Sequence, residues 1–401
     1  MPPHRPPHNA DLEALKARAS AAVDAERAAL VELSSRIHAH PELCFEEERA
    51  AGWLCDYLES RGLTVEREAY GLKTAFAARA GSGEPRVAVL CEYDALPGIG
   101  HGCGHNVIAA AGAGAGAALA SVIAETGGSV VVLGTPAEEG GGGKVLMGRR
   151  GAFADLAAAM MIHPASLELI EMNVLAISAV EVEYTGRAAH AAAAPHAGLN
   201  ALDALVTAYQ SIAQLRQHIR PSERIHGIIT DGGQKPNIVP EHAAGLFYIR
   251  AANERRLERL KRRVHDCFRA GALASGAELH TRSNGEDYSD MWTNAALAAA
   301  YEANITGLGR RIDHAAPETV SGSTDMGNVS KLTPSIHPMV AIAPPHVALH
   351  TPEFASWAVA ESGQQGVIDG AKALALTAID ILCTPELRTA ARAAFEAATA
   401  K

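Results

Sequence analysis

Cys91-Glu92-Tyr93-Asp94-Ala95-Leu96-Pro97-Gly98-Ile99-Gly100-His101-Gly102-Cys103-Gly104-His105-Asn106 is the stretch on which the reading of the whole chain turns. It follows Val87-Ala88-Val89-Leu90, an apolar run that predicts a strand, and loops leaving strand ends are where α/β proteins keep their chemistry. Glycines at 98, 100, 102 and 104 are expected at positive φ, folding the loop back so that His101, Cys103 and His105 converge. The bland alternative is a glycine turn with incidental histidines. A thiol and an imidazole two residues apart in such a loop are an uncommon pairing without a metal, which favours the metal reading.

A chain of 401 residues exceeds the size at which one core stops growing, so two domains are expected, one of them inserted in the other. With 48% hydrophobic and 20% charged residues the composition is that of a globular protein. The net charge of -10 and the lack of a basic run with interleaved aromatics argue against a nucleic-acid partner. No apolar run reads as a membrane span, and the Pro-rich start Met1-Pro2-Pro3-His4-Arg5-Pro6-Pro7-His8 reads as a loose leader without a signal peptide's apolar core. Six cysteines scattered without framework spacing suit a reducing compartment, and a cytoplasmic location is the expectation.

Outward from the central stretch, apolar spacing predicts one long or two consecutive helices over 11–39, ended by Pro41, and another ending near Gly62. Strands are expected at 63–69, 73–79 and 86–91, then at 129–133, 157–162 and 339–343. The helix after the central loop, beginning Val107-Ile108-Ala109, carries Gly112, Gly114 and Gly116; with Ala117 where a third glycine is needed, it is not a dinucleotide fingerprint. Three strands run into polar loops: 129–133 into Pro136-Ala137-Glu138-Glu139, 157–162 into His163, and 339–343 into His346 and His350. Such a sheet has one site along its C-terminal edge. Between 177 and 288 alternating strands and two helices, near 199–219 and 254–274, predict an α+β insert. The expected organisation is a catalytic α/β domain, a mostly parallel sheet flanked by helices, formed by 1–176 and 289–401, with 177–288 as the inserted α+β sandwich unit.

The plausible metal ligands are Cys103, His105, Glu139, His163 and His350. A catalytic zinc takes three protein ligands and leaves one position open, so five overfill one ion, whereas two divalent ions sharing one bridging ligand would each receive three. Thiolate and imidazole donors favour Zn over Mg or Ca, with Mn or Co compatible as well. Glu138, beside a ligand glutamate and not counted among the five, is placed to act as general base; its bland reading is half of a solvated acidic turn. His38, His40, His218, His242, His265, His280 and His314 are read as structural or solvated, while His101, His226, His337 and His346 lie near site loops without a ligand slot to fill.

Glu92 to Pro97 with His101 to Asn106, Pro136-Ala137-Glu138-Glu139, His163, Gly186-Arg187-Ala188-Ala189-His190-Ala191, Gly232 to Pro240, and His350-Thr351-Pro352-Glu353-Phe354 together resemble the aminoacylase and carnosinase family of two-metal amidohydrolases. The branch most similar is that of p-aminobenzoyl-glutamate hydrolase and the aminoacylase-like dipeptidases that cleave β-alanyl-lysine-type peptides. The resemblance spans nearly the whole chain, with the motifs in family order. It implies hydrolysis of an amide or peptide bond in a small conjugate or dipeptide with a free carboxylate. An N-acyl-amino-acid deacylase and a catalytically silent metal- or ligand-binding relative are the alternatives. It further implies Cys103 as the bridge, His190 as an oxyanion stabiliser reaching across a homodimer made through the insert, which would serve as lid and dimerisation domain, and Asn237 and Arg250 as holders of the substrate carboxylate. Many members of the family carry His-x-Asp where this chain has Glu92-Tyr93-Asp94, so His105 must supply the missing histidine, and Asp94 is expected to orient a ligand.

Overall fold

The computed structural model describes residues 9–313 and 321–400; the leader at 1–8 and His314 lie outside the described residues. The chain divides into two units, the first running to Asn173 and resuming at Met291, the second spanning Val174–Asp290.

In the first unit the opening helical stretch is two helices, α1 (Asn9–Ala25) and α2 (Arg27–Ala39), separated at Glu26. The next helix, α3 (Glu48–Ser60), buries Ala50, Ala51, Leu54, Cys55 and Leu58, the stripe that its helical spacing demands. The strands are β1 (Thr64–Arg67), β2 (Phe76–Gly81), β3 (Arg86–Cys91), β4 (Ser129–Gly134), β5 (Ala158–Met160) and, after the insert, β13 (Ser335–Ile336). They form one sheet in the order β1-β2-β4-β3-β5-β13. Pairing is parallel from β4 through β3 and β5 to β13 and antiparallel on the β1-β2-β4 side.

Helix α4 (His105–Thr126) follows the central loop and packs across β3 and β4. A Cβ at Gly112 would stand 2.6 Å from the Leu90 carbonyl oxygen, and one at Gly116 2.1 Å from Val132 Cγ2, so glycine is what lets this helix lie so close to the strands. Helix α4 is long and apolar enough to cross a membrane, yet it is buried inside this unit. After β4 come α5 (Gly143–Arg149) and β5, which ends sooner than expected: the chain leaves the main sheet after Met160, and His163 opens β6 (His163–Ala165), paired in parallel with β14 (Met339–Ala341). The rest of this unit comprises α8 (Ala295–Gly307), the short strand β12 (Ser321–Gly322), α9 (Met326–Ser330), α10 (Pro352–Trp357), α11 (Glu361–Cys383) and α12 (Pro385–Thr399).

The second unit, which opens at the end of β7 (Asn173–Val174), is a four-stranded antiparallel sheet. Its strands β8 (Ala176–Thr185), β9 (Arg224–Asp231), β10 (His242–Ala251) and β11 (Glu278–Ser283) lie in the order β11-β8-β10-β9. Helices α6 (Ala201–Leu215) and α7 (Glu254–Ser275) bury Leu205, Ala208 and Ile212 and Leu257, Leu260, Val264 and Phe268 against Val180, Val182, Tyr184, Phe247 and Ile249 of the strands. Strict alternation along β8 and β10 leaves the other face of that sheet outside the core. At the edge, β9 displays Ile228 and Ile229, 62% and 43% exposed, and Tyr248 of β10 stands out at 38%.

Candidate metal centre

The central loop begins at the end of β3 and brings the candidate donors Cys103 and His105 to the start of α4. Gly98, Gly100 and Gly104 take φ of 73°, 73° and 77°, with Gly104 as the residue before the helix. Gly102, expected at positive φ as well, is not among the left-handed glycines; it is needed for space, since a Cβ there would lie 2.6 Å from Ile99 Cγ2 and 3.5 Å from the His350 Cα. His350 itself sits at φ 63°, its backbone N–H donating to the Gly102 carbonyl at 2.8 Å, so the loop that carries His350 is stitched to the central one.

Two groups of three donors share one sulfur. Cys103, His105 and His163 form one set and Cys103, Glu139 and His350 the other, all donor atoms of each lying within 4.8 Å of one another. Cys103 Sγ is 3.4 Å from His163 Nε2, and His350 Nε2 is 3.5 Å from Glu139 Oε1. His105 Nε2 and Glu139 Oε1 are 3.9 Å apart, buried, and meet no hydrogen-bond partner among the described residues. Buried donors left open towards a common space fit a pair of cations. Burial pushes the Cys103 thiol well above its ordinary range, so it would serve as a thiolate ligand only with a cation beside it.

The groups behind these donors hold them in place. His105 Nδ1 lies 2.9 Å from the Asp94 carbonyl and 3.0 Å from Asp94 Oδ1, while Asp94 Oδ2 accepts the backbone N–H of Glu139 at 2.9 Å. Burial alone would raise the Asp94 carboxyl, but its interactions with His105, the Glu139 N–H and Lys144 outweigh it and bring it down to about 2. Asp94 therefore steadies one donor of each set. His163 Nδ1 faces the Pro164 carbonyl at 2.7 Å, which leaves Nε2 turned to Cys103. Glu138 is buried, with Oε2 4.0 Å from His105 Nε2; burial and the neighbouring Glu92, Glu139 and Asp325 carboxylates hold its carboxyl well above the usual range.

Several partners here carry no local sequence signal. Lys144, fully buried on α5, forms ion pairs with Glu92 and with Asp325 Oδ1, the latter at 2.7 Å, and its backbone N–H donates to Asp325 Oδ2 at 2.9 Å. Burial opposes its charge, but the two carboxylates outweigh that and raise it. His337 is buried edge-on against His163, ring centres 5.5 Å apart, with neither ring nitrogen hydrogen-bonded among the described residues. His101 does not join the donor sets: its Nε2 faces the Ile37 carbonyl at 3.1 Å and it stacks on His38.

His190, Asn237 and Arg250 belong to the second unit. His190 pairs with Ile238 across a bridge, and the Ala191 N–H donates to the Asn237 carbonyl at 3.0 Å, so the two loops are neighbours. The backbone N–H groups of Ala192 and Ala193 donate to His190 Nδ1 at 3.3 and 3.1 Å; its ring proton is thus left on Nε2 of an exposed side chain. Arg250 is half-buried, its Nε donating to His226 Nε2 at 3.4 Å.

Residues 176–275 match the peptidase dimerisation domain. The chain is 41% identical to a mouse (Mus musculus) Xaa-Arg dipeptidase over 96% of its own length and 93% of that protein's. It belongs to the M20 family of peptidases. One of the two subunits of the p-aminobenzoyl-glutamate hydrolase of Escherichia coli is 36% identical over 66% of the chain and 58% of its own length. Among solved structures, a dinuclear metal binding peptidase from the M20 family of Bacillus subtilis superposes with a TM-score of 0.68 at 18% identity, covering 90% of this chain and 99% of that one; this shows the shared fold. As an M20 protein, the chain is a metal-dependent hydrolase of amide or peptide bonds.

Proposed function

We propose that this M20 enzyme hydrolyses dipeptides or small amino-acid conjugates with a free carboxylate, using two divalent ions held by Cys103, His105 and His163 and by Cys103, Glu139 and His350. The observation that carries the reading is the pair of donor sets sharing the Cys103 sulfur, with Glu138 buried beside them. Zn is the ion that the thiolate and imidazole donors favour, Mn and Co being compatible. When bound, such a pair supplies a polarised substrate carbonyl and a water of lowered pKa.

The chain's own groups account for the proton and for orientation. Glu138, buried beside both donor sets, takes the proton of the attacking water and passes it to the leaving nitrogen as the C–O bond forms and the C–N bond breaks. Asp94 keeps His105 and Glu139 aimed. His190, its proton on Nε2, is a donor for the oxyanion, and Asn237 with Arg250 holds the substrate carboxylate, a bidentate task suited to a guanidinium. We assign His190 to the partner subunit's site, with the inserted unit, bounded near 177 and 288, as lid and dimerisation domain. The match to the dimerisation domain supports a homodimer, and so does an edge strand β9 that displays isoleucines for a second copy to cover. Six free cysteines suit the reducing cytoplasm.

Dipeptides with C-terminal arginine are the first substrates to assay, on the likeness to Xaa-Arg dipeptidase, and p-aminobenzoyl-glutamate the second. The test is turnover of a panel of Xaa-Arg dipeptides, p-aminobenzoyl-glutamate and N-acyl amino acids by metal-reconstituted protein, with elemental analysis alongside. The proposal expects two ions per chain and turnover of at least one carboxylate-bearing substrate. No turnover across the panel with two ions proven present would leave a silent binding protein, and one ion at saturation would overturn the shared-sulfur arrangement.

A further inference from the structure

Glu47 is a wholly buried carboxylate at the N-terminal end of α3, outside every donor set. Its Oε1 accepts two backbone N–H groups, each at 2.9 Å, from Phe45 in its own loop and from Ala137 ninety positions away. Its Oε2 accepts the Thr74 hydroxyl at 2.8 Å, and the Thr74 carbonyl in turn accepts the hydroxyl of Tyr93, the residue between Glu92 and Asp94. The two residues tied to Oε1 share a property that is uncommon outside glycine: Phe45 has φ 63° and Ala137 φ 60°. Left-handed backbone pushes a Cβ towards the following carbonyl, so both residues are strained and persist only where surrounding bonds over-determine them.

Ala137 stands immediately before Glu138 and Glu139. Its carbonyl accepts the N–H groups of Gly141 and Gly142 at 3.0 and 2.8 Å, closing a tight loop around the two glutamates. The other arm of the clamp braces that loop from outside: a Cβ at Gly141 would stand 2.4 Å from Phe45 Cε2, so the phenyl ring lies directly against the glycine. One carboxylate oxygen thus fixes the turn from which a base and a ligand depart, together with the aromatic ring that buttresses it.

We infer that Glu47 is a positioning residue for the hydrolytic reaction: by holding Ala137 in its left-handed conformation it sets the aim of Glu138 and Glu139. The inference rests on the roles given to those two glutamates above. It requires two accepted hydrogen bonds and not a negative charge, because a glutamine oxygen at the same place would accept the same two N–H groups and the Thr74 hydroxyl can turn to accept from the amide.

The test compares Glu47→Gln, Glu47→Ala, Ala137→Gly and the double variant Glu47→Ala/Ala137→Gly for kcat, KM and metal content, with Glu138→Gln as reference. A misplaced reacting group costs on the order of 10²-fold, so Glu47→Ala is expected to lose about that much in kcat with little change in KM, and to hold the ion of the Glu139 set less tightly by metal titration. Glu47→Gln is expected to stay within about 5-fold of wild type, since both N–H bonds survive. The double variant is expected to recover about 10-fold over Glu47→Ala, because glycine takes positive φ without the Cβ penalty and needs no clamp. A merely structural loss at position 47 would not be repaired by deleting a methyl group at position 137.

Should Glu47→Ala not fold, Ala137→Val in the otherwise intact chain makes the same strain worse and is expected to lower kcat and metal retention together. Wild-type kcat in Ala137→Val or in Glu47→Ala overturns the inference, as does a Glu47→Gln enzyme as impaired as Glu47→Ala, or a double variant without recovery. Failure of the underlying reading is seen separately, as full turnover by Glu138→Gln, whatever the Glu47 variants do.

Discussion

Glu92 and Asp94 after β3, His105 at the start of α4 and Lys144 on α5 lie wholly or almost wholly buried in the first unit, whereas His190 and Asn237 stand exposed on loops of the second. The first group finds its partners within its own unit: Asp94 on His105, Lys144 between Glu92 and Asp325, Glu47 on the Ala137 turn. The ring of His190 instead meets the backbone N–H groups of Ala192 and Ala193 in its own loop, which set its tautomer and leave the proton on Nε2. The contrast separates two kinds of functional group. A buried polar cluster has to be satisfied inside the fold and is therefore pre-organised, while an exposed donor acquires its role from whatever it meets.

The largest effect that tests this contrast is expected at Glu138. Glu138→Gln keeps size and burial but cannot take a proton, so kcat should fall by about 10² to 10⁴ while elemental analysis finds the metal content unchanged. A variant retaining most of its turnover would remove the catalytic meaning of the buried cluster. Next comes Lys144→Met, which leaves Glu92 and Asp325 buried without their cation and should cost about 3 to 5 kcal/mol in denaturant unfolding. A midpoint near wild type would show that this network is not structurally required.

His190→Ala is expected to lower kcat by about 10² to 10³ with metals and unfolding midpoint intact, as befits an exposed donor that acts only on the transition state. Mixing sharpens the point. Exchange of subunits between His190→Ala and Glu138→Ala chains should restore activity, because one composite site of the hybrid is whole; proven exchange without recovery would place His190 in its own chain's site or outside catalysis. The smallest effect is expected at the ion pair between Arg282 of the edge strand β11 and Glu181 of its neighbour β8, where the guanidinium side chain is 70% exposed. Arg282→Ala should leave the unfolding midpoint unchanged within error, since exposed pairs gain little in water. A clear drop would mean that this face is covered in solution.

Short-range pattern is what a single chain of residues displays directly. The apolar run before the central loop, the Gly98, Gly100 and Gly104 turns, the acidic pair after β4 and the histidines at 163 and 350 are each local signals; together they point to the α/β class and the family, and they single out five candidate donors. Local pattern failed where pairing partners are far apart or where the backbone is special. It extended the strand to Ile162, although the chain changes ladders after Met160, and it asked Gly102 for a left-handed turn when space was the constraint. That Lys144 reaches Asp325 across 181 positions, that Glu47 clamps Ala137 across 90, and that His337 lies against His163 becomes visible only in the packed fold. An isolated lysine or glutamate in sequence reads as solvated surface, and nothing in its neighbours marks it otherwise. Its burial, and with it the need for an opposite charge or a pair of N–H groups, arises only when elements from distant parts of the chain are packed side by side.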